Sequence, residues 1–190
     1  MSKLQQILEY NRSFIDNKDY EEYITTKIPK KRMVIVTCMD TRLTELLPRA
    51  MNIKNGDAKI IKDAGASVVH PFGGVMRSIL VAVYEFEAED VFVVGHYGCG
   101  MNNLDTRKLV DTMVSRGINE ETIETLKNAG INIEGWLHGF ESVEESIKES
   151  VRMIKDHPLF PDDVKVHGLI IDPETGKIDV VIDGDNNIQK

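Results

Sequence analysis

Two short clusters along the chain carry side chains able to bind a metal ion. The first is Cys38-Met39-Asp40-Thr41-Arg42 and the second is Gly95-His96-Tyr97-Gly98-Cys99-Gly100. His96 and Cys99 are three residues apart, a spacing at which a turn or a first helical turn aims both side chains at one point. Cys38 supplies a third soft donor if the two clusters meet. Zinc suits such a set, since thiolate and imidazole are its usual donors and two thiolates neutralise a divalent ion. Three protein donors leave a tetrahedral site one short, the arrangement of a catalytic zinc whose fourth position holds water. Asp40 lies two residues from Cys38, within reach of either the metal or its water. Arg42 follows two residues later, and a bidentate Arg-to-Asp pair would hold the carboxylate off the ion as an acceptor for the water. The duller alternatives are a closed zinc site with Asp40 as its permanent fourth ligand, a surface salt bridge of little worth, and two unrelated buried cysteines acting as small hydrophobes.

These clusters need elements to hold them. Residues 33–37 (MVIVT), 58–62 (AKIIK) and 91–94 (VFVV) are short apolar, β-branched runs that read as buried strands. Between them, residues 43–51, despite Pro48, and 75–88 have helical character. Alternating strands and helices predict an α/β fold, with right-handed crossovers, a mostly parallel central β-sheet and flanking helices. Both clusters then follow strand ends at the carboxyl edge of the sheet, where open α/β sheets bind their ligands. Residues 105–115 and 119–129 read as further helices, and Ser142 with Glu145 forms a capping box for a helix reaching about Lys155. Residues 164–171 and 177–182, joined by a polar turn ending in Gly176, read as a C-terminal antiparallel edge hairpin. Behind Ser2 as N-cap, residues 3–16 place Leu4, Ile7, Leu8 and Ile15 at helical spacing, an apolar stripe that needs a partner surface.

Composition narrows the classes further. The 190 residues show no linker, repeat or low-complexity tract, so residues 1–190 read as a single domain with residues 1–30 as an N-terminal helical arm. A net charge of −8 offers no basic field for nucleic acid. No apolar run approaches the ~20 residues needed to cross a bilayer, and the Met1-Ser2-Lys3 start lacks a signal-peptide core, which predicts a cytoplasmic protein with no membrane partner. The glycines of residues 95–100 match neither the phosphate loop nor the dinucleotide fingerprint.

Cys38-x-Asp40-x-Arg42, with His96-x-x-Cys99 beginning 58 residues after Cys38, resembles the zinc signature of the β-class carbonic anhydrases, in the form of their small prokaryotic branch. The resemblance runs from about residue 30 to the end. Lys62-Asp63-Ala64-Gly65 resembles the family's Asn-Ala-Gly segment, with Asp63 where Asn is usual, and residues 166–170 with 175–177 resemble its closing hairpin. What the resemblance implies is a zinc-dependent lyase that hydrates CO2 reversibly to bicarbonate by zinc-bound hydroxide. It implies Cys38, His96 and Cys99 as ligands of one Zn2+ per chain, Asp40 and Arg42 as the catalytic pair orienting the nucleophile, and Gly65 as a backbone donor to substrate. It also implies a homodimer or dimer-based oligomer in which the arm packs on the partner subunit. Two further readings keep the metal: a hydrolase of carbonyl sulfide or carbon disulfide at the same site, and a non-catalytic zinc-binding protein. Among the other histidines, His70 beside Pro71 and Phe72 is a candidate proton shuttle, set against its being an ordinary loop histidine. His167, within an apolar run, reads as structural, and Trp136 is expected in the core or at an interface.

Overall fold

A computed structural model describes residues 1–187 of the chain. The strands are β1 (Met33–Cys38), β2 (Ala58–Asp63), β3 (Asp90–His96), β4 (Lys165–Ile171) and β5 (Ile178–Ile182). They form one sheet in the order β2-β1-β3-β4-β5. The first four are mutually parallel and β5 runs antiparallel to β4, so the α/β class and the antiparallel edge are both found. The helices are α1 (Lys3–Asp16), α2 (Leu43–Ala50), α3 (Gly74–Tyr84), α4 (Thr106–Ser115), α5 (Glu120–Asn128), α6 (Ile133–Leu137) and α7 (Val143–Lys155).

Period-2 alternation along the strands divides the core in two. Val34, Val36, Val91 and Val93 meet Met76 and Ile79 of α3 and Ile147, Val151 and Ile154 of α7. On the other side Ile35, Val94, Leu169 and Ile171 meet Leu43 and Leu47 of α2. Each fully buried Ile or Leu contributes about 1.5–3 kcal/mol to this packing. The close fit of α7 needs glycine beneath it, since a Cβ on Gly168 would come within 2.6 Å of Ile147 Cγ2. His167 is structural: it stacks on Phe92 with 4.5 Å between ring centroids. Its Nε2 lies 3.3 Å from Asp90 Oδ1, and its Nδ1 accepts from Gly184 N at 3.1 Å.

Several local expectations need correction. The helix expected over residues 75–88 stops at Tyr84. Glu85, Glu87 and Glu89 follow its carboxyl end, where negative charge opposes the helix dipole, and Glu87 adopts φ +56°. Arg32 draws Glu87 and Glu89 away at 3.1 Å each. Only half of the capping box forms: Ser142 Oγ accepts from Glu145 N at 3.3 Å, while the Glu145 carboxylate bonds Lys148 Nζ at 2.9 Å. The short α6 is an element that the hydrophobic pattern did not reveal, started by Asn132 Oδ1 accepting from Gly135 N at 2.9 Å. Trp136 upon it is 77% exposed, so it is no part of the core. Among the described residues no helix is long and apolar enough to cross a membrane.

Candidate metal centre

The two clusters converge at the carboxyl edge of the sheet. β1 and β3 are hydrogen-bonded neighbours, with Thr37 paired to Val94, so Cys38 and His96 end adjacent strands. After His96 the chain turns through Gly98 at φ +63°, a left-handed conformation that glycine adopts at little cost. That turn brings Cys99 back toward Cys38. The candidate donor atoms of Cys38, His96 and Cys99 all lie within 4.8 Å of one another, and all three residues are buried.

The set fits a zinc ion on three counts. Two thiolates on one tetrahedral zinc, each at about 2.3 Å, stand about 3.8 Å apart; Cys38 Sγ and Cys99 Sγ are 3.8 Å apart. His96 Nδ1 lies 2.9 Å from the Tyr97 carbonyl. A carbonyl only accepts, so Nδ1 carries the proton and Nε2 keeps its lone pair. That Nε2 is buried and has no hydrogen-bond partner, a costly state unless something electrophilic meets it. Backbone donors support the sulfurs: Met101 N reaches Cys99 Sγ at 3.5 Å, and the N–H groups of Gly65 and Asp40 face Cys38.

The electrostatics agree. Burial pushes the Cys38 thiol up, yet the His96 imidazole and the Gly65 and Asp40 N–H groups together bring it below the ordinary thiol value. Cys99 moves the other way, raised by burial and by the neighbouring sulfur. Burial pushes the His96 imidazole down, but Cys38, the Tyr97 carbonyl and Asp40 raise it overall, so the pocket favours positive charge.

Asp40 and Arg42 form the bidentate pair that their spacing allowed. Arg42 Nε and Nη2 donate to Asp40 Oδ1 and Oδ2 at 3.0 and 2.9 Å, and Arg42 N adds a 2.9 Å bond to Oδ1. The guanidinium therefore holds the carboxyl well below the usual carboxylate range. Nη2 also bonds the Gly98 carbonyl at 3.1 Å, tying the first cluster to the second. Asp40 Oδ2 stands 3.7 Å from His96 Nε2.

Gly65 lies in a 3-10 turn, Ala64–Ala66, with φ +88°. A Cβ there would come within 3.0 Å of Phe140 and 3.2 Å of Met101, so glycine is required by close approach as well as by conformation. Its N–H faces Cys38, which makes it a donor to a candidate ligand. Asp63 ends β2 opposite Cys38; burial raises its carboxyl to about 6. The Tyr97 carbonyl and the Met101 N–H were not foreseen from sequence. Backbone groups are common to every residue and leave no mark in side-chain spacing. A second cluster, His167 with Asp183 and Asp185, is less suited to a metal because Gly184 N already occupies His167 Nδ1.

A parallel-cored sheet that presents two thiols, an imidazole and an Arg-braced carboxylate at its carboxyl edge defines the class: an α/β protein with a candidate metal centre. The carbonic anhydrase family matches over residues 33–178. YvdA of Bacillus subtilis, provisionally named a carbonic anhydrase, is 59% identical over 184 residues, covering 97% of this chain and 93% of that protein. The crystal structure of β-carbonic anhydrase isoform I from Trichomonas vaginalis superposes with a TM-score of 0.88 at 36% identity, covering 97% of this chain and 100% of that one. A carbon disulfide hydrolase of Acidithiobacillus thiooxidans is 28% identical, covering 78% of this chain and 76% of that protein. The chain belongs to the β-carbonic anhydrase family.

Proposed function

We propose that this protein is a zinc-dependent carbonic anhydrase that hydrates CO2 reversibly to bicarbonate, with Cys38, His96 and Cys99 holding one Zn2+ per chain. The observation that carries the reading is the orphaned His96 Nε2 facing two thiols 3.8 Å apart. Zinc held there supplies Lewis acidity, which lowers the pKa of water from 15.7 towards ~7 and makes it nucleophilic at neutral pH. Asp40, kept ionised by Arg42, is an acceptor only, so its Oδ2 orients the attacking water through an O–H donated to it. Arg42 holds that carboxylate as an acceptor for the water and off the metal. Gly65 and Met101 N–H groups fix the sulfurs, and Tyr97 fixes the imidazole tautomer. Bicarbonate leaves as the anion, and the proton lost by the water passes to solvent.

The arm supports a dimer. No residue of α1 is buried, and Leu4, Ile7, Leu8 and Ile15 are 49–64% exposed on it. A second copy of the chain would cover that stripe, with residues 1–190 folding as one domain and residues 1–30 reaching across. Two free thiols serving as metal ligands suit the reducing cytoplasm.

The carbon disulfide hydrolase among the relatives supports a second reading, in which the same nucleophile attacks carbonyl sulfide or carbon disulfide. Stopped-flow CO2 hydration on zinc-loaded protein, with Cys99→Ala as control, decides between them. Fast turnover lost in the variant is the expected result. No CO2 turnover, with hydrogen sulfide released from carbonyl sulfide, would establish the second reading instead.

A further inference from the structure

CO2 hydration releases one proton for every bicarbonate formed, and that proton must leave a buried centre. Cys38, His96 and Cys99 are 4%, 1% and 7% exposed. Asp40 does not suit the task, because Arg42 engages both of its carboxylate oxygens. A proton carrier in water near neutral pH is most often an imidazole.

Four of the five histidines are committed elsewhere. His96 is a candidate ligand. His157 is 4% exposed, with Nδ1 accepting from Leu159 N at 3.1 Å. His167 is 9% exposed and held at both ring nitrogens. His70, the shuttle candidate read from sequence, accepts from Phe72 N at 3.0 Å and does not line the cavity beside the metal centre, although its neighbour Val69 does.

The fifth is His138, which is exposed, and neither of its ring nitrogens is bonded to another described residue. It lines a cavity of about 590 Å³ together with Asp63, Ser67, Met101, Ser146 and Glu149. No candidate ligand lines this cavity, but two of its lining residues adjoin the centre. Asp63 is the strand partner of Cys38, and Met101 donates its N–H to Cys99 Sγ. In the wall, Ser67 Oγ and Ser146 Oγ lie 3.2 Å apart, hydroxyls able to order water along the path. The carboxylates of Asp63 and Glu149 are the charged groups facing it, and their negative field favours a passing proton over a departing anion.

We propose that His138 is the proton-transfer residue of this enzyme, taking the proton released in CO2 hydration through cavity water and passing it to buffer. The balance is simple: the water oxygen bonds carbon, bicarbonate leaves, and the proton moves to a ring nitrogen of His138 and then to solvent. The proposal rests on the carbonic anhydrase reading.

Oxygen-18 exchange between CO2 and water at chemical equilibrium separates the two, since it yields one rate for interconversion of CO2 with bicarbonate and another for release of labelled water, which needs proton delivery. In His138→Ala the water-release rate should fall about tenfold or more and recover on adding imidazole. Interconversion, zinc content and melting temperature should stay at wild-type values. His70→Ala should leave both rates unchanged. An unchanged water-release rate in His138→Ala, failure of imidazole to restore it, or joint loss of both rates with zinc would overturn the proposal. Absence of interconversion in the wild type would instead remove the carbonic anhydrase reading on which it stands.

Discussion

Arg42→Ala is expected to close the metal centre without emptying it. Arg42 restrains Asp40 through three hydrogen bonds of 2.9 to 3.0 Å. Asp40 Oδ2 is 3.7 Å from His96 Nε2. Nitrogen and oxygen donors on one tetrahedral zinc, at about 2.05 Å each, stand about 3.3 Å apart. The carboxylate thus needs to approach by only about 0.4 Å to become a fourth ligand, and the guanidinium is what opposes that step. Folding should change little. The Arg42 side chain is 45% exposed, so the lost pair is worth under about 1 kcal/mol and the melting temperature should drop by no more than about 4 °C. Catalysis should change greatly, with kcat/KM for CO2 hydration falling about 100-fold or more as the carboxylate displaces water and loses its orienting position. Stopped-flow hydration gives the rate, metal analysis gives the zinc content, and absorption of the cobalt-substituted protein reports whether added anions still reach the metal. Full activity with an anion-responsive cobalt spectrum would refute the role given to Arg42, and so would loss of zinc.

Other substitutions probe different parts of the molecule. Cys99→Ala should release zinc to a chelator under conditions where the wild type retains it, with CO2 hydration at background; metal analysis after dialysis checks this. Gly139→Ala would place a Cβ 1.8 Å from the Met101 carbonyl oxygen, a backbone clash expected to cost more than about 3 kcal/mol and to be read as a lowered urea midpoint. Asp63→Asn tests pH linkage. Burial raises the Asp63 carboxyl from 3.8 to about 6, so its ionisation costs stability that is intact below about pH 4 and is lost as pH rises through about 6. Two pKa units correspond to about 3 kcal/mol, and partial solvent screening reduces this to about 1–2. The Asn variant should therefore match the wild type at pH 4 and exceed it at pH 8, as measured by denaturant unfolding at both. Deleting residues 1–16 should shift the protein from dimer to monomer in analytical ultracentrifugation, and an unchanged dimer would refute the role of the arm.

Much of the site was legible because its residue types are scarce. With two cysteines in 190 residues, each following an apolar run, the convergence of Cys38, His96 and Cys99 depended only on the strands being parallel neighbours. The strands were legible for a related reason: runs such as residues 33–37 are β-branched, apolar and too short for helices. Helix ends were harder. Residues 85–88 continue an apolar pattern through Phe86 and Ala88, while beyond the stop at Tyr84 Glu87 and Glu89 pair with Arg32, more than 50 positions earlier. A local window contains the acidic residues but not their Arg32 partner. Trp136 lies outside the core for the opposite reason, since size and apolarity favour burial on average but α6 stands on an excursion pinned to the body at its base, where Asn103 N bonds the Phe140 carbonyl and Phe140 N bonds the Met101 carbonyl.

Register is what turns these separate signals into a centre. Along β3, Val91 and Val93 belong to the α3 and α7 side, while Val94 belongs to the α2 side. His96, two residues beyond Val94, falls on that same α2 side by simple alternation. Cys38 departs from alternation: Val34 and Val36 join the first cluster, but Cys38 joins Ile35 in the second. It can do so because it is the last residue of β1, free of a partner on β3 beyond the Thr37 to Val94 pair. A one-residue slip of β3 against β1 would carry His96 to the opposite face and move Val91 and Val93 out of the cluster they pack in. The packing that fixes the strands therefore also fixes the distance between the metal donors, and a substitution such as Val93→Thr, remote from the edge, should weaken zinc retention in proportion to its loss of stability.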